Sequence, residues 1–118
     1  MNKYIAILLL VIPMLAFAES HSVTEPKASI QMLLTKCKSQ ISFEKGYCSG
    51  FIAASMGPTF RRSADGIWRV VNCLPPSLTV EQVQRLFIDY ANGHPEKWHE
   101  SAESGVRESL AEKFPCKE

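Results

Sequence analysis

Four cysteines, Cys37, Cys48, Cys73 and Cys116, limit what this chain can become more than any other feature. Cys48 shows why. It lies in "KGYCSGFIAASMG" (residues 45–57), between small residues at the apparent start of an apolar helix. Such a cysteine can be a nucleophile activated by a helix N-terminus, part of a membrane segment, or half of a disulfide. The compartment decides among them. Lys3 followed by "YIAILLLVIPML" and "AFA" has the charged start, short apolar core and small residues at Ala16 and Ala18 of an export signal. A bilayer span needs about 20 apolar residues, and Pro13 interrupts this run. We therefore expect residues 1–18 to be a signal peptide cleaved after Ala18, residues 19–27 a loose polar leader, and residues 28–118 one helical domain.

In an oxidising compartment an even number of cysteines reads as disulfides. Their successive spacings of 11, 25 and 43 residues contain no C-x-x-C pair and fit no common zinc module. Four cysteines permit three pairings. Hairpin depth favours one of them, because antiparallel helices set residues of equal depth side by side. Cys37 and Cys48 flank a turn near Ser42 at similar distances. Cys73 and Cys116 lie 20 residues before and 23 after Gly93. Cys37–Cys48 and Cys73–Cys116 are the expected bridges.

Periodicity gives the rest of the architecture. Ile30, Leu33, Leu34, Cys37 and Ile41 form one helical stripe, and Ser42 is placed to cap the next helix. From Tyr47 to Met56 nearly every residue is apolar or small, which predicts a central helix covered on most sides. Gly50, Ala53 and Ala54 would let neighbouring helices come close. Thr79 with Gln82 makes a capping box, and Val80, Val83, Leu86, Phe87, Tyr90 and Ala91 recur at helical spacing up to the stop at Asn92-Gly93. Pro95 suits a helix start, with Trp98, Ala102, Val106, Leu110 and Phe114 as the inner stripe up to Pro115. Between Pro58 and Leu78 the chain is harder to place: Asp65-Gly66 marks a turn, Pro75-Pro76 a break, and "IWRVV" is read as a short helix rather than an extended run. The expected fold is all-α, a small bundle of four or five short helices stapled by two disulfides.

Several functions are excluded by what surrounds these residues. Removing Lys3 from the 13 Lys and Arg leaves 12 against 12 Asp and Glu, so charge favours neither a nucleic-acid partner nor an anionic membrane. A catalytic cysteine needs a base, but His94 and His99 are five apart and share a helix face poorly. His94 reads as a turn residue and His99 as a solvated one. There is no serine nucleophile elbow, Gly-rich phosphate loop or metalloprotease helix. Glu96, Glu100, Glu103, Glu108 and Glu112 read as a solvated face. No catalytic residue, metal or cofactor is expected. Arg61, Arg62 and Arg69 cluster in the irregular segment, either as an exposed loop or as a contact patch for a negatively charged partner.

Three stretches carry a resemblance. "YCSGFIAAS" is similar to an aromatic-Cys-x-Gly-aromatic-Ile helix, "NCLPPSLTVEQVQRLFIDYANGHPEKWHESA" to a Cys-x-Pro, helix and "HPE" block, and "ESLAEKFPC" to a terminal helix ending in Phe-Pro-Cys. In this order, behind an export signal, they resemble the Rap/Tai family of type VI secretion immunity proteins over roughly Cys37 to Cys116. Ala54 stands where members often carry a second glycine. Residues 57–71, with Arg61, Arg62 and Trp68, match no family pattern. The resemblance implies a periplasmic, non-enzymatic and commonly dimeric helical protein that occludes the active site of a peptidoglycan amidase toxin. It also implies that the region joining the last two helices, here Gly93, His94, Pro95, Glu96 and Trp98, enters the toxin groove. A periplasmic stress or chaperone-like helical protein is the alternative.

Overall fold

The computed structural model describes residues 27–117; the expected signal peptide, and most of the leader after it, lie outside the described residues. Four α-helices and one short β-hairpin make up the domain: α1 (Ile30–Lys38), α2 (Ser42–Ser55), β1 (Phe60–Arg62), β2 (Trp68–Val70), α3 (Val80–Gly93) and α4 (Ala102–Lys113), with a single 3-10 turn at Pro95–Lys97. The fold is mostly helical, not purely so. The "IWRVV" stretch, expected as a helix, is a strand instead.

Three of the four α-helices begin where a side chain satisfies unpaired amides. Ser29 accepts from the Met32 amide at the start of α1, and Ser101 from the Ser104 amide at the start of α4. Thr79 and Gln82 form the reciprocal capping box of α3. Helix α2 begins differently from its expected form: Ser42 is its first residue, and Ile41 precedes it without a side-chain cap.

The four helices enclose one apolar core. Leu33, Ile52, Val83, Phe87, Val106 and Leu110 are completely buried, contributed by all four helices as their apolar spacing requires. Gly105 sets the closest approach. A Cβ placed there would lie 2.7 Å from Ile30 Cγ1 and 3.2 Å from Phe87 Cε2, so α4 can lie against α1 and α3 only because residue 105 has no side chain.

The structure joins Cys37 to Cys48 and Cys73 to Cys116, and none of the described cysteines is free. The first bridge links the α1–α2 hairpin at the depth argued from sequence. The second pairs the same residues for a different reason. Cys73 does not sit on a helix; it follows Asn72, which bridges to Pro115 beyond the end of α4, while the Cys73 amide donates to the Phe114 carbonyl.

Two further expectations are corrected. Ile41 was placed on the core stripe of α1, but α1 ends at Lys38 and Ile41 is exposed in the link to α2. Helix α2 is not covered on most sides: it buries Cys48, Ile52 and Ser55 and leaves Ser49, Gly50, Ala53 and Ala54 exposed. A Cβ at Gly50 would meet nothing within 4 Å. Small residues there leave a flat open face, not a tight helix contact.

Candidate interaction surface

The connector between α3 and α4 is exposed yet firmly held. Its 3-10 turn starts at Pro95, whose fixed φ suits a first helical position. The amides of Ile30 and Gln31, which have no partner inside α1, donate to the carbonyls of Glu100 and Trp98 at 2.9 and 3.1 Å. The Ala102 amide donates to the Ala28 carbonyl at 2.7 Å. The start of α1 thus ties down the second half of the connector.

Its side chains divide into two groups. Trp98 packs against the core, and its indole Nε1 donates to the Ala91 carbonyl at 2.7 Å. It braces the turn. His94 lies half-buried, stacked on the Tyr90 ring at 4.3 Å, with Nδ1 2.8 Å from the Tyr90 carbonyl oxygen. A carbonyl can only accept, so the proton of the neutral ring resides on Nδ1 and Nε2 is left as an acceptor. Gly93, Pro95 and Glu96 are exposed. The five residues of the sequence-based candidate set therefore meet at one turn, three presented, one half-presented and one acting as support.

Tyr90 and Lys97 complete this corner, although sequence reasoning gave them no such role. Lys97 Nζ donates to the Tyr90 hydroxyl at 3.2 Å. That hydrogen bond, followed by the charges of Tyr90, Glu100 and Glu108, holds the ammonium above its ordinary value. The i, i+7 relation of Tyr90 and Lys97 crosses a helix end, and no local pattern encodes it. A cleft of about 350 Å³ beside the corner is lined by Leu86, Asp89, Tyr90, His94, Ser109, Glu112 and Lys113.

The arginine cluster is placed by the hairpin. Phe60 pairs with Val70, Arg61 with Arg69, and Arg62 with Trp68. Gly66, at φ 83°, closes the turn in the left-handed region that a side chain would oppose. Arg61 is 3.1 Å from Glu108 of α4, Arg69 is 2.7 Å from Asp65, and Arg62 Nε donates to the Gly66 carbonyl. Two of the three guanidinium groups thus already face a carboxylate; Arg62 makes no ion pair among the described residues. Between the hairpin and the chain end lies a cleft of about 640 Å³ lined by Arg61, Arg62, Arg69 and Lys117 among others.

Helix α4 connects the two regions. Glu108 of that helix meets Arg61 of the hairpin, and Ser109 and Glu112 line the cleft beside the connector. The surface offers hydrogen-bonding groups, a cationic edge and exposed apolar side chains. Cys48, the candidate nucleophile of the sequence, is locked in a disulfide. Among the described residues no group of three or more His, Cys, Asp or Glu could hold a metal ion, and no helix is long and apolar enough to cross a membrane.

Comparison with protein families matches residues 29–116 to the Rap1a immunity proteins. No curated protein and no solved structure gave a match. The matched span holds both disulfides, all four helices, the hairpin and the connector. Disulfides and family together point to an exported protein that binds a cognate toxin, in a family of non-enzymatic inhibitors. The chain belongs to the Rap1a immunity protein family.

Proposed function

We propose that this protein is a periplasmic immunity protein that occludes the active site of a type VI secreted peptidoglycan amidase by inserting its α3–α4 connector into the toxin groove. The observation that carries this reading is the connector itself: an exposed turn fixed at both ends by backbone hydrogen bonds, with Trp98 bracing it from below. A key held rigid before binding loses little conformational entropy on docking. Gly93 and Pro95 shape the tip, Glu96 presents a carboxylate, and His94 presents Nε2 as an acceptor, or as a second donor once the ring is protonated. Arg61, Arg62 and Arg69 supply a second contact. The export signal and the two disulfides suit a periplasmic site of action.

The exposed face of α2 is the surface for a homodimer. Phe43 is 78% exposed beside Ile41 at 62%, and Gly46 and Gly50 continue from them as a flat strip. Such a strip lets a second helix approach closely.

The test is protection of living cells. An amidase effector directed to the periplasm lyses its host, and co-export of this chain rescues growth. His94→Ala combined with Glu96→Ala is expected to abolish the rescue while the variant still accumulates in oxidised, folded form. Full rescue by that variant sinks the connector as the inhibitory element, and no rescue against any amidase effector tested sinks the amidase as target.

A further inference from the structure

The hairpin exposes more apolar surface than folding explains. Phe60, Ile67, Trp68 and Val70 are 56%, 57%, 65% and 40% exposed within eleven residues. Side chains alternate sides along a strand, and directly opposed residues share a side. Arg61 and Arg69 therefore share one side, from which Arg61 reaches Glu108 on α4, and Phe60, Arg62, Trp68 and Val70 share the other.

This ribbon is also preorganised. A two-stranded hairpin is marginal on its own, yet here its base is clamped. Asn72, 2% exposed, accepts the Thr59 amide on Oδ1 at 2.6 Å and donates from Nδ2 to the Gly57 carbonyl at 2.8 Å. The Val71 amide donates to Thr59, the Cys116 amide to Val71, and the Cys73–Cys116 disulfide closes the base. Two aromatic rings at roughly 150–250 Å² each, half exposed and joined by Val70, leave on the order of 200–300 Å² of apolar surface. That is a few hundred Å², the scale at which an exposed apolar patch becomes informative, and about a third of the ~800 Å² per partner that a stable interface uses. The remainder has to come from the connector, which the immunity reading already docks on the same toxin.

We propose that the outward face of the hairpin, Phe60, Arg62, Trp68 and Val70, is a second docking element for the same toxin. It seats in an apolar depression outside the catalytic groove, with a toxin carboxylate facing Arg62. The inference rests on the immunity reading above and adds where affinity and partner choice reside. Charge complementarity names the chemistry: Arg62 is the one charged group on this face and has no carboxylate partner among the described residues. A membrane surface is the weaker occupant, since one arginine amid apolar side chains is far from the polybasic cluster that holds a protein on anionic lipid.

The experiment is a binding and inhibition titration against an amidase effector that the wild-type chain inhibits. Trp68→Ala and Arg62→Glu are each expected to weaken binding at least tenfold, as centrally placed interface residues do, without changing the melting temperature. Saturating amounts of either variant still inhibit fully, because the connector is intact. His94→Ala with Glu96→Ala gives the reverse pattern, with residual amidase activity at saturation. Wild-type affinity in a Phe60→Ala, Trp68→Ala double variant overturns the hairpin proposal and leaves the immunity reading standing. Failure of the wild-type chain to inhibit any amidase overturns both. Two other outcomes also overturn the hairpin proposal if toxin affinity is unchanged: Trp68-dependent sedimentation with phosphatidylglycerol-containing vesicles, or Trp68-dependent self-association.

Discussion

The bundle and the hairpin use similar residues in opposite ways. Phe87 is wholly buried between helices; Trp68, a larger ring, is 65% exposed on a strand. The bundle stabilises itself by removing apolar surface from water. The hairpin is held by hydrogen bonds at its base and a disulfide, and leaves its apolar side chains unused by the fold. The difference separates what keeps the molecule folded from what it has available for a partner.

Core truncation breaks the comparison most severely. Phe87→Ala or Leu110→Ala is expected to cost about 3–5 kcal/mol in urea unfolding, the sum of lost burial and the cavity left behind. Trp68→Ala on the hairpin should change stability by less than about 0.5 kcal/mol. A comparable loss at Trp68 would mean that the hairpin face is covered by the protein itself.

The two disulfides come next. Loop closure predicts about 4 kcal/mol for the 43-residue separation of Cys73–Cys116 and about 3 kcal/mol for the 11-residue separation of Cys37–Cys48. Double Cys→Ala variants compared by unfolding give this order if chain entropy dominates. The reverse order would show that packing of the buried Cys37–Cys48 bridge outweighs loop length.

Glycines sharpen the contrast at intermediate size. Gly105→Ala pushes a methyl into Ile30 and should destabilise by about 1–3 kcal/mol. Gly50→Ala, on the open face of α2, should raise monomer stability by about 0.5–1 kcal/mol through helix propensity. At the hairpin base, Asn72→Ala strands the Thr59 amide and the Gly57 carbonyl and should cost about 1–3 kcal/mol. Faster amide exchange across residues 59–71, with the helices unaffected, is its signature.

The bridging sequences were readable because their signals are local. The capping box at Thr79 and Gln82, the stripe from Val83 to Ala91 and the stop at Gly93 are all written within one helix length. The α1–α2 disulfide follows from the same helical spacing. The hairpin differs from the helix expected there, although its markers are present: β-branched and aromatic residues in "IWRVV", and Asp65-Gly66 between two short runs. Five residues are too few for periodicity to decide, and the deciding contacts come from Asn72 and Pro115, the latter 43 residues away from the former. The open face of α2 was illegible for another reason. Alanine and glycine pack or face water at similar cost, so composition cannot say which side a partner covers.

At the candidate surface, the turn at 93–98 was visible as a break between two helices. The bracing of that turn was not. Trp98 reads as a contact residue in sequence, and the structure adds a bond from its indole to the Ala91 carbonyl that no local pattern encodes.

The smallest effect expected is acid dependence. The Ser39 hydrogen bond and then Lys36 hold the Glu44 carboxyl below its ordinary value of 4.5. Its contribution to stability is therefore present above that value and fades as pH falls through the lower folded value. Since Glu44 is at the surface, Glu44→Gln should leave the unfolding midpoint at pH 7 almost unchanged and slightly flatten its decline below pH 4.5.

The most direct measurement is an amidase assay on purified peptidoglycan, titrated with the oxidised chain against a panel of type VI amidase effectors. The account predicts that one effector loses all activity at one chain per active site, and that the others are unaffected. Full activity of every effector at saturating chain would contradict it.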